Sequence, residues 1–299
     1  VDNLTLLFQA PLLNLQLLVD GILVGAVFAL VAYGMALQWG VMNLINVAQG
    51  DFVMLGGYVA VLSVKRGVPP LLAVPCSAAA VAVICWILYR AAVQYVVRRE
   101  LFASILATYG IGIVLQQLAN QLFGSDVRTV ESGLGSLSLA GGMLTFTWIK
   151  VFAFVGAIGL GAVLVWFLRQ SRLGRAIRAT AQNARAARVL GVDPDRVYAA
   201  TFTINGAICG AAGALVAMTW LVYPYAGLSY TVRSFMIVVA AGIGNLAGIV
   251  TAGGGLGVAE NYAGFVLGTQ YQSAFVFSLL VVILVVRNHW LMRQRKVLK

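Results

Sequence analysis

The sequence predicts an all-α, polytopic integral membrane protein of about eight transmembrane helices, some of them broken or re-entrant, and three observations predict it. Of its 299 residues 61% are hydrophobic and only 10% charged, whereas soluble domains run at roughly 45–50% apolar and 25% charged. The apolar residues fall in runs near the ~20 needed to cross roughly 30 Å of hydrocarbon. Fifteen of the twenty Lys and Arg sit in three clusters: Arg90, Arg98 and Arg99; seven arginines from Arg169 to Arg196; and five charges from Arg287 to Lys299. The positive-inside bias puts those clusters in the cytoplasm, so the net charge of +11 reports topology and not affinity for nucleic acid. Residues 1–299 read as a single transmembrane domain with a cytoplasmic loop at about 169–198, which leaves no room for a sizeable soluble domain.

No Lys or Arg precedes Lys65, so the basic n-region of a cleavable signal is missing and the first apolar segment is expected to stay. Residues 15–38 form the first span, with Gly21 and Gly25 at the small-xxx-small spacing that lets helices approach closely; residues 4–19 could form a separate element. GVMNLINVAQGDF interrupts the apolar run, which resumes through Val64 and breaks again at KRGVPP. Residues 71–89 lead inward, 101–123 outward, and 124–148, rich in Gly and Ser, form an outside loop. Residues 149–168 return to the arginine cluster, and 199–221 leave again with Gly206 and Gly210 in a second GxxxG. The glycine-rich stretch 235–268 is expected to hold discontinuous helices, because Gly costs about 1 kcal/mol against Ala in a helix interior. Residues 273–287 reach the basic C-terminal segment. Counting crossings from the inside clusters puts the N-terminus outside and gives seven or nine spans, or eight if 4–19 stand apart.

Much chemistry is missing. With His289 as its one histidine, the chain offers neither an H-E-x-x-H metal site nor a Ser-His-Asp triad. Cys76, Cys85 and Cys209 lie in apolar runs without a pairing pattern and read as core residues. None of the four lysines follows a glycine, so no G-K-[ST] phosphate loop is present. AGIGNLAG is spaced GxGxxxG and lacks the strand-then-helix setting of a dinucleotide fingerprint; close helix packing explains it better.

Polar groups at membrane depth are the remaining candidates. Asp20, Asp51 and Glu260 lie in or beside spans, where carboxylates cost a few kcal/mol and face a cavity or a partner. They serve either proton coupling or packing. Asn43, Asn46, Gln49 and Asp51, four polar side chains within nine residues, line a path for a polar solute or stabilise a helix break. Asn205, Asn245 and Asn261 are isolated in apolar surroundings, where interhelical hydrogen bonds compete with solute contact as the explanation.

The basic stretch GRAIRATAQNARAARVLGVDPDRV is amphipathic in an unusual way. At 100° per residue Arg175, Arg178, Gln182 and Arg185 share one arc, and Ile177, Thr180, Ala184 and Ala187 another. A membrane-surface helix would bury Leu, Phe or Trp; small residues suit a protein partner instead. Gly191 ends the element, and Asp193-Pro194 reads as the N-cap and first position of the next helix.

Three motifs in order, GVMNLINVAQGDFVMLGGYVA, GRAIRATAQNARAARVLGVDPDRVYAATF and IVVAAGIGNLAG followed by Glu260, resemble the permease subunits of ABC importers for branched-chain amino acids and related solutes, the LivH/LivM type. RAARVLG at 185–191 resembles the EAA-x-x-x-G core of the importer coupling loop: Ala186, Ala187 and Gly191 fit, and Arg185 stands where the motif has an acid. The resemblance implies ATPase coupling through Arg175, Arg178, Arg185, Ala186, Ala187 and Gly191. It is compatible with a translocation path along Asn43, Asn46, Gln49, Asp51, Asn205, Asn245 and Glu260. It further implies a second permease subunit, identical or paralogous, two cytoplasmic ATPase subunits that bind the ATP and Mg²⁺, an extracytoplasmic solute-binding protein, and a bacterial or archaeal cytoplasmic membrane. The chain itself is then no enzyme and holds no cofactor or metal. Where the family commonly reads N-F-A-H-G-E this chain has Asn46-Val47-Ala48-Gln49-Gly50-Asp51, and Arg287-Asn288-His289 replaces R-P-x-G-L-F. These departures bear on the solute, which in this family is a branched-chain or other amino acid, urea, an amide or an aromatic acid. The competing reading is an ion-coupled secondary transporter using Asp20, Asp51 or Glu260.

Overall fold

A helix apolar on every side must be covered on every side, and α1 (Pro11–Met42) is the element the others cover: nearly every residue from Gly25 to Met42 is buried. The computed structural model describes residues 10–97, 101–130, 135–139, 144–242 and 244–297. Residues 1–9, Arg98, Arg99, Glu131 and Lys299 therefore lie outside the described residues, as do the side chains of His289 and the basic residues after it. Pro11 at the first helical position starts α1 without losing a hydrogen bond, and residues 11–19 continue into it and form no separate element. Its 32 residues would extend about 48 Å at 1.5 Å per residue. Asn43, at φ 50°, closes it in the left-handed conformation that Asn tolerates.

The chain then turns and enters α2 (Gln49–Lys65), followed by α3 (Pro70–Leu88), which runs on through a π turn at Tyr89–Val93 to Val96, and α4 (Leu101–Phe123). Outside α4, Arg128 pairs with Val222 as an isolated bridge, and strands β1 (Ser136–Leu139) and β2 (Leu144–Thr147) form an antiparallel hairpin in the expected outer loop. Helix α5 (Trp148–Gln170) leads to two short helices, α6 (Arg172–Gln182) and α7 (Ala184–Val189). Then come α8 (Pro194–Thr219), α9 (Gly227–Ala241), α10 (Leu246–Leu267) and α11 (Gln272–Val297).

Among the described residues six helices are long and apolar enough to cross a membrane, and Gly227–Ala241 is a shorter apolar one. Length and apolarity alone thus pick out six spanning helices. Of the other long helices, α2 has only 17 residues and the 22 of α10 are diluted by glycine, Glu260 and Asn261. Asp20 meets Lys150 and Tyr33 packs on Gly161, so α1 runs parallel to α5. Pro11 therefore lies opposite the basic loop, on the side expected to be outside.

The glycine-rich third is discontinuous, as expected. Among the described residues α9 ends at Ala241 and α10 begins at Leu246, with Gly242 and Gly244 at positive φ between them, and α10 itself passes unbroken through Gly253-Gly254-Gly255. Gly253 and Gly257 serve contact: a Cβ on Gly257 would lie 2.2 Å from Gly21 O, and one on Gly25 2.4 Å from Gly253 O. The small-xxx-small pair of α1 thus meets α10 backbone to backbone. Gly210 of α8 meets the α3 backbone at Ser77 in the same way, and Gly206 packs on the Cys85 side chain and the Val81 carbonyl. Gly254 and Gly255 have nothing within 4 Å of a Cβ. Gly255→Ala should therefore stabilise slightly, by the ~1 kcal/mol helix preference, whereas Gly257→Val should destabilise by at least the ~1–3 kcal/mol of overpacking; thermal unfolding of the two variants in detergent checks the contrast.

Cys85 and Cys209 are buried, but Cys76 is exposed. An apolar side chain turned to lipid tails costs little, so an apolar run does not fix which face is core.

Candidate translocation path and coupling loop

The start of α2 is where polar groups gather. Gln49 and Asn205, both fully buried, exchange hydrogen bonds through their amides at 2.9 Å each, and Gln49 Nε2 also donates to Val31 O. This cross-bonds α1, α2 and α8 with nothing left unpaired. Thr231 Oγ1 of α9 donates to Val47 O and accepts from Gly50 N, which ties the first turn of α9 to the first turn of α2. Asp51, 3% exposed, lies in the first turn of α2, where the helix dipole favours a carboxylate. Its Oδ1 accepts from Gln116 of α4 at 2.9 Å, and a Cβ on Gly227 would lie 2.0 Å from that oxygen. Asn46 Nδ2 donates to Gln38 Oε1, while Gln38 Nε2 and Asn46 Oδ1, both buried, have no hydrogen-bond partner among the described residues. These two are the groups of this layer with hydrogen-bonding capacity to spare.

A second polar group lies further out. Glu260 on α10 is paired with Arg233 on α9: Arg233 Nε donates to Oε2 at 2.9 Å and to Oε1 at 3.1 Å, and Nη2 also donates to Oε1. The pair borders a cavity of about 330 Å³ whose lining includes Phe28, Trp220, Tyr230 and Asn261. Sequence reasoning missed Arg233. The signal was available: it is a lone arginine in the apolar run TVRSFMIVVAAG, far from the basic clusters, where an unpaired cation costs several kcal/mol.

The structure thus brings Asn46, Gln49, Asp51 and Asn205 together, sets Glu260 in the outer cavity, and places Asn43 and Asn245 at exposed helix ends, where Asn245 Oδ1 caps α10 by accepting from Gly248 N. Asp20 is bonded to Lys150 at 2.9 Å, and Asn261 Nδ2 donates to Leu17 O. Among the described residues no three His, Cys, Asp or Glu side chains gather as a metal site requires.

Removing Gln49's amide should be costly because it leaves Asn205 unpaired. Gln49→Leu alone should destabilise by about 1–3 kcal/mol, and Gln49→Leu with Asn205→Ala should destabilise by less than the two single effects added. Thermal melts of the three variants test the coupling.

At the end expected to be cytoplasmic the basic stretch is two helices and not the continuous one the wheel assumed. Asn183 interrupts it because its side chain caps α7, Oδ1 accepting from Arg185 N and Ala186 N at 3.0 Å; Asn competes with helix interiors in this way. Gly174, Ile177, Thr180 and Ala187 face the bundle, and Arg175, Arg178, Arg185, Ala186 and Gly191 are exposed. Arg175 donates to Gln170 O and Arg178 to Leu168 O, so both satisfy carbonyls that α5 leaves open at its end and complement its dipole. Gly191, φ +84°, stops the loop, and Asp193 Oδ1 caps α8. Val189 and Leu190 are 87% and 81% exposed. They are apolar tips on a basic loop, and their apolarity among arginines was the signal that could have singled them out.

Comparison with known proteins identifies the family. A family model described as branched-chain amino acid transport system / permease component matches residues 17–285. The high-affinity branched-chain amino acid transport system permease protein BraD of Pseudomonas aeruginosa is 29% identical over 91% of this chain and 94% of its own length. LivH of Escherichia coli K12 is 29% identical, covering 91% of this chain and 93% of itself. A probable branched-chain amino acid transport permease protein LivH of Methanocaldococcus jannaschii is 24% identical over 90% and 88%. No solved structure matches. With the motifs in order, the multi-pass helical bundle and a match spanning nearly the whole chain, the protein belongs to the family of branched-chain amino acid transport system permeases.

Proposed function

We propose that the chain is the membrane subunit of an importer that moves an amino acid, branched-chain or similar, across the cytoplasmic membrane of a bacterium or archaeon. ATP and Mg²⁺ are bound by two separate ATPase subunits, a second permease chain completes the pore, and an extracytoplasmic binding protein delivers the solute. The observation that carries the reading is the form of the 172–191 loop. It is bonded to the end of α5 through Arg175 and Arg178 and runs directly into the cap of α8, while it holds Val189 and Leu190 out of the bundle. A push on those tips reaches two spanning helices. Exposed apolar tips on a charged cytoplasmic loop are what a docked protein would cover. Polar side chains around the start of α2 and the outer cavity supply the path. Affinity purification of the tagged chain from its native membranes should recover ATPase subunits in equal numbers with permease chains; a chain that purifies free of any ATPase would sink the reading.

A further inference from the structure

We propose that the outer cavity is a way-station that reads both charges of a zwitterionic amino acid, Arg233 taking the carboxylate and Glu260 the ammonium, with Phe28 and Trp220 beside the apolar side chain. The inference rests on the importer reading above and gives its solute a chemical class and a place.

Of the described ion pairs this is the most buried, with side chains 13% and 8% exposed against 30% and 16% for Lys150–Asp20. Stability does not explain it, because well-packed apolar residues commonly replace a buried ion pair at no loss, and α9 and α10 could be joined that way. Nor is the pair sealed in: it borders a cavity of about 330 Å³, within the size range of small-molecule sites. Trp220 and Leu221, just beyond the outer end of α8, and Gln272 and Ser273, at the start of α11, line it too, so it sits at the outer ends of the helices, where a solute arrives. Aromatic and charged groups lie side by side on its walls. Phe28 stacks on Trp220 at 6.0 Å between centroids, and the Arg233 guanidinium carbon lies 5.1 Å from the centre of the Phe28 ring; Glu260 and Asn261 lie on α10.

Charge balance selects the ligand. Parting the pair leaves a cation and an anion at membrane depth, each needing a new partner. A zwitterion supplies both at once, so the exchange creates no net charge. Urea or an amide supplies neither, and a simple carboxylate leaves Glu260 unpaired beside a second anion. An apolar wall next to the two charges then suits an amino acid with an apolar side chain.

The test is uptake of radiolabelled leucine by proteoliposomes holding the complete complex and its binding protein. Arg233→Met with Glu260→Met keeps the two helices packed but removes both charges, and the swap Arg233→Glu with Glu260→Arg keeps an ion pair but reverses the site. Both assembled complexes should lose uptake at least about tenfold, as expected when charged hydrogen bonds to the solute are removed. Lys150→Met with Asp20→Leu, which removes an ion pair outside the cavity, should stay within about twofold of the parent. Uptake near the parent level in either cavity variant overturns the inference, and so does failure of both to assemble, which would make the pair a requirement of the fold. A parent complex that takes up no amino acid overturns the importer reading with it, whereas normal parent uptake beside unaffected cavity variants overturns this inference alone.

Discussion

Replacing Leu190 with aspartate should abolish solute-stimulated ATP hydrolysis by the assembled complex while leaving the membrane bundle folded. The side chain is 81% exposed and Val189 beside it 87%, so no core contact is lost; an acid at the tip would leave the bundle's stability within about 0.5 kcal/mol of the parent. In a docked complex the same residue sits in an apolar contact, and burying an unpaired carboxylate there costs an interface roughly 2 kcal/mol or more, about 30-fold in affinity. Ala187→Leu separates the two roles of the loop. Ala187 is 2% exposed, so a larger side chain there displaces α7 from the bundle and should lower stability and coupling together. If Leu190→Asp left the ATPase response intact, the tips would not be the contact.

The second large effect is structural. Gly50→Val should yield no folded protein, because a Cβ at Gly50 would lie 1.8 Å from Gly227 O and 2.8 Å from Thr231 N. Both neighbours are backbone in the first turn of α9 and cannot rotate away. The clash would part α2 from α9 and break the Thr231 bonds to Val47 and Gly50, at the point where both helices begin. Size-exclusion chromatography of a fluorescent fusion in detergent should show aggregate in place of the monodisperse peak; a normal peak would mean that the two turns are not in contact.

The spans themselves were legible in the sequence because a bilayer demands long apolar runs: Leu101–Phe123 was bounded to the residue, and the Asp193-Pro194 start of α8 follows from capping chemistry alone. Less was legible where glycine carries two meanings. At Gly242 and Gly244 it permits a turn with positive φ, while at Gly253 and Gly257 it clears a path for α1, and no local signal separates the two uses. The Gln49–Asn205 pair joins residues 156 apart, so each amide stood out as polar but its partner did not. Arg233 was hidden by its surroundings: once the arginines were read as topology markers, the one that faces Glu260 passed without notice. Ala187 and Leu190 show the limit of a wheel, which gives an arc but not which side of it the bundle covers.

The central claim, that this permease works only through a separate ATPase, is tested most directly by leucine uptake into sealed vesicles, measured for the chain alone and for the chain with its ATPases and binding protein, each with and without ATP. Uptake that appears only in the full complex and only with ATP is the predicted result; ATP-independent accumulation by the lone chain, driven by a proton or sodium gradient, would contradict it.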